Sequence, residues 1–118
     1  MARTILIVDD HPNFRATARA LLQADGFEVV GEAEDGASAI EAVARLHPDL
    51  VLLDVQLPDM DGFAVAAEIG RPNGNCPDVV LTSSRDAADF GPLVAESGAR
   101  GFVPKAELSG AALRSVLR

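Results

Sequence analysis

Acidic side chains follow two apolar runs of the sequence, and they are the residues best placed to do chemistry. Asp9 and Asp10 come directly after the run Thr4 to Val8, and Asp54 comes directly after Leu50 to Leu53. Short apolar runs of this kind are typical of strands buried on both faces of a parallel sheet. The carboxyl ends of parallel strands lie along one edge, where sites form at the topological switch point. If these two strands are neighbours, three carboxylates meet in one shallow cleft.

Three carboxylates at such short range repel one another, so the cleft needs a positive charge. Oxygen ligands with few protein groups and open positions for water favour Mg²⁺. Zn²⁺ is disfavoured because His11 and His47 lack ligand spacing and Cys76 is the only cysteine. Beside a bound Mg²⁺, one carboxylate oxygen can attack phosphorus as a nucleophile.

Two further side chains are expected at the same edge of the sheet. Ser83 ends a fourth apolar run, and Lys105 follows a fifth. A hydroxyl and an ammonium group beside an acyl phosphate supply a hydrogen bond and a positive charge. The residues therefore indicate a site for phosphoryl transfer to a carboxylate.

The elements that carry these residues alternate regularly between apolar runs and amphipathic segments. The pattern predicts strands over 4–8, 28–33, 50–53, 79–82 and 101–103, and helices over 12–26, 38–46, 63–69, 92–97 and 108–117. Residues 72–75 form a cluster of turn-favouring residues. Strands that alternate with helices predict an α/β fold, here a flavodoxin-like (βα)5 doubly wound five-stranded parallel sheet with helices on both faces.

Length and composition narrow the classes of protein further. The 118 residues are expected to form one domain, 1–118, with an aliphatic core because the chain has no Trp or Tyr. A formal net charge of −8 disfavours direct binding to nucleic acid or to an anionic membrane. A single cysteine fits a reducing compartment, and the N-terminus reads as neither a signal peptide nor a membrane span, so we expect a cytoplasmic protein.

Taken in order along the chain, these residues resemble the receiver domain of two-component response regulators over essentially the whole sequence. The marks are two acidic residues after the first strand, an aspartate after the third, Pro and Gly four and eight residues later, a hydroxyl ending the fourth strand and a lysine after the fifth: Asp9, Asp10, Asp54, Pro58, Gly62, Ser83 and Lys105. The opening Ile-Val-Asp-Asp-His-Pro is similar to the NarL/LuxR-type branch in particular.

The resemblance implies a role for each of the matching acidic and basic residues. Asp54 would be the phosphoacceptor, with Mg²⁺ as the cofactor. Asp10 would be a direct Mg²⁺ ligand, Asp9 would act mostly through water, and the backbone carbonyl of Gln56 would be another ligand. Lys105 would pair with the phosphoryl group.

The resemblance also implies a switch. Ser83 falls at the position of the family's hydroxyl when the alignment has no gap, and Thr82 would take it after a one-residue shift. We favour Ser83. Phe102, three residues before Lys105, matches the aromatic position that moves inward after phosphorylation, changing the face formed by the fourth helix, fifth strand and fifth helix.

The expected partners and activity follow from the same resemblance. The phosphodonor would be a sensor histidine kinase or a phosphotransfer protein, and a homodimer through the fourth-helix face is possible. We expect a signalling domain that promotes only its own phosphorylation and dephosphorylation, rather than an enzyme. Gln56 and Arg85, each two positions after a site residue, are hypothesised to set the lifetime of the phosphate.

The chain departs from the family pattern in three places. Ala106 follows Lys105 where the family usually has proline, so no cis bond is expected there. Gly91 and Pro92 fall inside the expected fourth helix, where proline costs about 3 kcal/mol, so that helix should be late, short or mobile. The chain ends where an output domain would begin, which suits either a stand-alone receiver or the receiver part of a transcriptional regulator.

Other interpretations are weaker. A pseudo-receiver, which binds partners without phosphotransfer, would lack part of the acidic site or the lysine. An aspartyl phosphatase typically places a second aspartate where Gln56 stands, and a flavodoxin needs a Ser/Thr-rich phosphate loop after its first strand. His11 is interpreted as a solvated loop residue, and Asp59 and Asp61 as solvated or helix-capping residues.

Overall fold

The protein folds as one parallel sheet between two layers of helices. The computed structural model describes residues 3–69, 77–85 and 87–117. The predicted turn cluster 72–75 and Cys76 lie outside these ranges. The strands are β1 Thr4–Val8, β2 Glu28–Ala33, β3 Leu50–Asp54, β4 Asp78–Ser83 and β5 Gly101–Pro104; the helices are α1 Pro12–Ala24, α2 Gly36–Leu46, α3 Gly62–Ile69, α4 Leu93–Glu96 and α5 Gly110–Leu117.

The strand order brings the predicted site residues together. The five strands are all parallel and run β2-β1-β3-β4-β5 across the sheet. β1 and β3 are neighbours, with Val8 paired to Leu53, so their acidic residues emerge side by side. The flavodoxin-like doubly wound sheet predicted from the sequence is confirmed, and the change of direction between β1 and β3 is the switch point at which such folds hold ligands.

Alternate residues of the central strands point into two separate cores. One core lies under α2 and α3 and includes Leu6, Leu53 and Leu81. The other lies under α1 and α5 and includes Ile7 and Leu52. Because both faces of β1, β3 and β4 are buried, these strands read as continuous apolar runs instead of alternating ones.

α3 and α4 each begin one residue from the predicted position, whereas α2 and α5 begin two residues from it, and capping explains these two larger differences. α2 starts at Gly36 because Asp35 and Ser38 form a capping box, with the Ser38 N–H donating to Asp35 Oδ1 at 2.8 Å. α5 starts at Gly110 instead of residue 108. The Asp25 carboxylate accepts from Gly110 N at 2.8 Å, and Ser109 Oγ accepts from Ala112 N at 3.0 Å.

The fourth helix is short, as Gly91 and Pro92 predicted. A 3₁₀ turn, Ala87–Phe90, precedes Gly91, which has a φ of 57°, and α4 then covers only Leu93–Glu96. Pro92 sits just before the helix, where its missing N–H costs nothing. No helix in the described ranges is long and apolar enough to cross a bilayer.

Candidate functional site

The acidic residues predicted from the sequence meet at the carboxyl edge of the sheet. Asp9 and Asp54 are buried, with 0% and 2% of their surface exposed, whereas Asp10 is exposed. One ligand atom from each of Asp9, Asp10, Asp54 and His11 lies within 4.8 Å of the others. The cluster is therefore compact enough for its members to share one cation.

Lys105 joins this cluster from the end of β5. Its Nζ lies 2.6 Å from Asp9 Oδ2 and 3.5 Å from Asp54 Oδ2. The same ammonium group sits 4.5 Å from the centre of the Phe14 ring at the start of α1. The lysine thus bridges two buried carboxylates, and the aromatic ring supports it by a cation–π contact.

The electrostatic environment of Asp54 is unusual for a carboxyl group. Burial raises the pKa of Asp54 to about 6 from its usual 3.8, and the negative charge of Asp9 adds to the rise. The Gln56 N–H, which donates to Asp54 Oδ1 at 3.2 Å, and the Lys105 ammonium oppose it. A carboxylate in this position gains from any additional cation placed nearby.

Two buried hydroxyls end β4 beside Asp54. Thr82 is paired in register with Asp54, and among the described residues its Oγ1 has no hydrogen-bond partner. Ser83 is equally buried, and its Oγ accepts from the Arg85 N–H at 3.1 Å. Both hydroxyls remain candidates for the contact with a phosphoryl group, and the Arg85 side chain lies at the exposed side of this strand end.

The loop after Asp54 is held close to the strand. The Gly62 N–H donates to the Val55 carbonyl at 2.7 Å, and Gln56 forms an isolated bridge with Asp61. A Cβ on Gly62 would lie 2.5 Å from the Asp54 carbonyl oxygen, so only glycine fits there without movement of the backbone. Gln56 itself is exposed beside the acidic cluster.

The other two aspartates of this loop cap helices, in agreement with one of their two interpretations. The Asp59 carboxylate accepts from the N–H groups of Gly36 at 2.7 Å and Ala37 at 3.0 Å, at the start of α2. These backbone hydrogen bonds lower the pKa of Asp59. Asp61 accepts from Ala64 N at 2.8 Å in the first turn of α3.

Phe102 lies partly buried in a row of three aromatic rings. Its ring centre is 5.7 Å from that of Phe90, which is 5.6 Å from that of Phe63 in an edge-to-face arrangement. Phe90 ends the 3₁₀ turn before α4. A movement of Phe102 would therefore change the packing of Phe90 and of the 3₁₀ turn that precedes the short fourth helix.

Three contacts were missed at the sequence level. His11 is 68% exposed, yet its Nδ1 lies 3.0 Å from one carboxylate oxygen of Asp9 and one of Asp10. Phe14 lies beneath Lys105, and Arg15 donates to the Asp9 backbone carbonyl at 2.6 Å. The one available signal was proximity, since all three residues lie within six positions of Asp9.

Fold and site together define a class: a flavodoxin-like α/β domain with an acidic cleft and a lysine at the carboxyl edge of its sheet. Residues 5–118 match the response regulator receiver domain family, and the chain belongs to this family. Within it the chain functions in phosphorylation-dependent two-component signalling.

Individual relatives agree with this assignment. The nitrate/nitrite response regulator protein NarP of Escherichia coli is 40% identical over 102 residues, covering 86% of this chain and 47% of NarP. The chemotaxis protein CheY of Bacillus subtilis is 36% identical, covering 89% of this chain and 87% of CheY. A LuxR-family two-component response regulator from Aurantimonas sp. superposes with a TM-score of 0.86 at 29% identity, over 99% of this chain and 86% of the other.

These relatives confirm the resemblance to the NarL/LuxR-type branch. The chain spans about half the length of the transcription regulators among its curated relatives. Receiver domains bind Mg²⁺ at an acidic pocket and interact with histidine kinases or phosphotransfer proteins. The family is one of signalling domains.

Proposed function

We propose that Asp54 is the residue of this receiver domain that accepts the phosphoryl group. The observation that carries the proposal is the position of its carboxylate: buried at the end of β3, beside Asp9 and within 3.5 Å of the Lys105 ammonium. Burial raises the pKa of Asp54 to about 6, and the missing side chain of Gly62 lets the following loop pack closely against the Asp54 backbone.

The donor set suits Mg²⁺. Asp10, Asp54 and the backbone carbonyl of Gln56 would hold the ion directly, and Asp9 would act mostly through water. These are hard oxygen ligands, and the exposed Asp10 leaves room for water. When bound, the ion supplies positive charge that offsets the charge on the phosphoryl oxygens.

The chemistry of the transfer assigns each remaining group a task. An Asp54 oxygen attacks phosphorus; a P–O bond forms, the P–N bond to a donor histidine breaks, and the released imidazole takes a proton from water. Lys105, already between Asp9 and Asp54, turns toward the new phosphoryl oxygens. Ser83 donates a hydrogen bond to them, with Thr82 as the alternative hydroxyl.

The switch follows from the same groups. When Ser83 turns toward the phosphoryl group, space opens beside Phe102, which moves inward and away from Phe90. This shifts a two-state equilibrium at the face formed by α4, β5 and α5. The phosphodonor is a sensor histidine kinase or a phosphotransfer protein, and the changed face binds an output partner or a second copy of the chain.

Residues 1–118 form one receiver domain in this proposal, either alone or within a transcriptional regulator. The chain itself makes no direct contact with nucleic acid or membrane, because its net charge is −8. Gln56 and Arg85, both exposed beside the site, control the access of water and so the lifetime of the phosphate.

The test is incubation with Mg²⁺ and acetyl phosphate, followed by measurement of intact mass. Wild type and Asp61→Asn should each gain one phosphoryl group, whereas Asp54→Ala should gain none, and EDTA should abolish the gain. Asp61 is the matched control because it lies in the same loop but caps α3. A folded wild type that gains nothing from acetyl phosphate or from a phosphohistidine donor would instead be a pseudo-receiver.

A further inference from the structure

Arg15, in the first turn of α1, is bonded to the backbone of Asp9, the first of the two acidic residues Asp9 and Asp10. Its Nη1 donates to the Asp9 carbonyl oxygen at 2.6 Å, and its Nε donates to Glu32 Oε1 at 2.9 Å. The side chain is only 17% exposed. One guanidinium group therefore joins the end of β1 to a carboxylate on β2.

The Glu32 carboxylate that binds Arg15 is also held by a second arginine. The second oxygen of Glu32 accepts from Arg19 Nε at 2.8 Å. Burial works against ionisation, but the bonds from Arg19 and Arg15 hold the pKa of Glu32 below its usual value. Glu32 therefore stays charged at neutral pH and holds the Arg15 fork in one orientation.

The hydrogen bond from Arg15 to the Asp9 carbonyl influences where the side chain of Asp10 points. Asp9 N donates to the Ala33 carbonyl at 3.0 Å, so strand β2 holds one side of Asp9, and Arg15 holds its carbonyl on the other. Fixing that carbonyl fixes the plane of the peptide bond between Asp9 and Asp10. The orientation of that plane in turn sets the direction of the exposed Asp10 side chain.

We propose that Arg15 is a positioning residue: it locks the Asp9–Asp10 peptide so that the Asp10 carboxylate faces the cation site. The inference rests on the proposed role of Asp10 as a metal ligand. Arg15 does not contact the cation; it acts through the backbone. Its planar fork suits this task because it makes two directed hydrogen bonds at once, which a lysine cannot do in the same geometry.

Charge and position predict opposite effects on metal affinity, which makes the proposal testable. Removing a positive charge near the site should strengthen cation binding by simple Coulomb attraction. Releasing the Asp9–Asp10 peptide should weaken it, on the order of tenfold, as is typical when the groups that orient metal ligands are lost.

The measurement is the Mn²⁺ dissociation constant, read from the electron paramagnetic resonance signal of the free ion. Mn²⁺ is the probe because, like Mg²⁺, it takes carboxylate, carbonyl and water oxygens. The central variant is Arg15→Lys, which keeps the charge but not the fork, and its matched control is Arg19→Lys. Arg19 donates to the same Glu32 carboxylate, and within the described part of the chain no hydrogen bond or ion pair joins it to Asp9.

We expect Arg15→Lys and Arg15→Met to weaken Mn²⁺ binding on the order of tenfold, and Arg19→Lys to stay within about twofold of wild type. Equal affinity in Arg15→Lys and wild type, equal losses in the two lysine variants, or tighter binding in Arg15→Met would each overturn the proposal. If Arg15→Met does not fold, Arg15→Lys decides alone. Failure of the wild type to bind Mn²⁺ would instead contradict the proposed metal site.

Discussion

Replacing Asp54 by asparagine should stabilise the metal-free protein, although it removes the proposed phosphoacceptor. The Asp54 carboxyl is buried beside Asp9, and its pKa in the folded protein is about 6, compared with a usual value of 3.8. The folded chain therefore holds this proton more tightly than the unfolded chain does. Between pH 3.8 and about 6, stability falls as pH rises, and above that window the whole loss is present.

The size of the effect follows from that difference. The two pKa values correspond to about 3 kcal/mol at neutral pH. The cleft opens to solvent at the edge of the sheet, and screening reduces the figure to about 1–2 kcal/mol. For a domain of this size, that predicts a rise in thermal midpoint of roughly 4–8 °C at pH 7.5. Near pH 4.5 the gain should shrink, because wild-type Asp54 is then mostly protonated when folded.

The assay is thermal unfolding followed by circular dichroism in EDTA, at pH 4.5, 6 and 7.5. Glu41→Gln is the control, since it removes one charge from an exposed position on α2. Mg²⁺ should stabilise the wild type more than Asp54→Asn and so narrow the gap between them. The reasoning fails if Asp54→Asn is no more stable than Glu41→Gln at pH 7.5, or if its advantage does not depend on pH.

Two other substitutions test the surroundings of Asp54. Lys105→Met removes the cation 2.6 Å from the buried Asp9 and should lower the free energy of unfolding in EDTA by about 3 kcal/mol, as measured by urea unfolding. Mg²⁺ should restore part of this loss of stability. An unchanged urea midpoint would mean that the ion pair is not stabilising. Gly62→Ala places a Cβ against the Asp54 carbonyl and should lose about 1–3 kcal/mol together with the rate of phosphorylation. Gly101→Ala is the control, because the three atoms nearest to its added Cβ belong to the Val116 side chain. It should lose stability but keep that rate, and equal rates in the two variants would contradict the steric argument.

The sheet and the meeting of the acidic residues could be predicted because both depend on periodicity. Continuous apolar runs fixed the strands, and alternation with helices implied parallel pairing, which brings Asp9, Asp54 and Lys105 to one edge. The start of α2 depends only partly on local residues, because the Asp35–Ser38 capping box is not the whole cap. Asp59, which lies in the loop after β3, caps Gly36 from 23 residues away.

The contacts of Arg15 and His11 escaped prediction for a related reason. Each lies close to Asp9 in sequence, but whether its side chain turns back toward the cluster or out to solvent depends on Glu32 and on the loop between β1 and α1. Residue type and spacing do not determine this choice. The hydroxyl at the end of β4 stayed ambiguous because Thr82 and Ser83 are both completely buried there.

Arg15 and Lys105 both contact Asp9, but they differ in kind, and the difference fits two separate tasks. Arg15 binds a backbone carbonyl and a fixed carboxylate through a planar fork, a geometry that resists rotation. Lys105 places a compact charge on a flexible stem between Asp9 and Asp54 and can turn without leaving the cleft. Phosphorylation would replace the single negative charge of the Asp54 carboxylate by a phosphoryl group carrying about −1.5 to −2, so the added negative charge lies on the new oxygens. Arg15 holds the Asp9–Asp10 backbone still, while Lys105 follows the new negative charge. Arg15→Lys should therefore impair the first task, and Lys105→Arg the second.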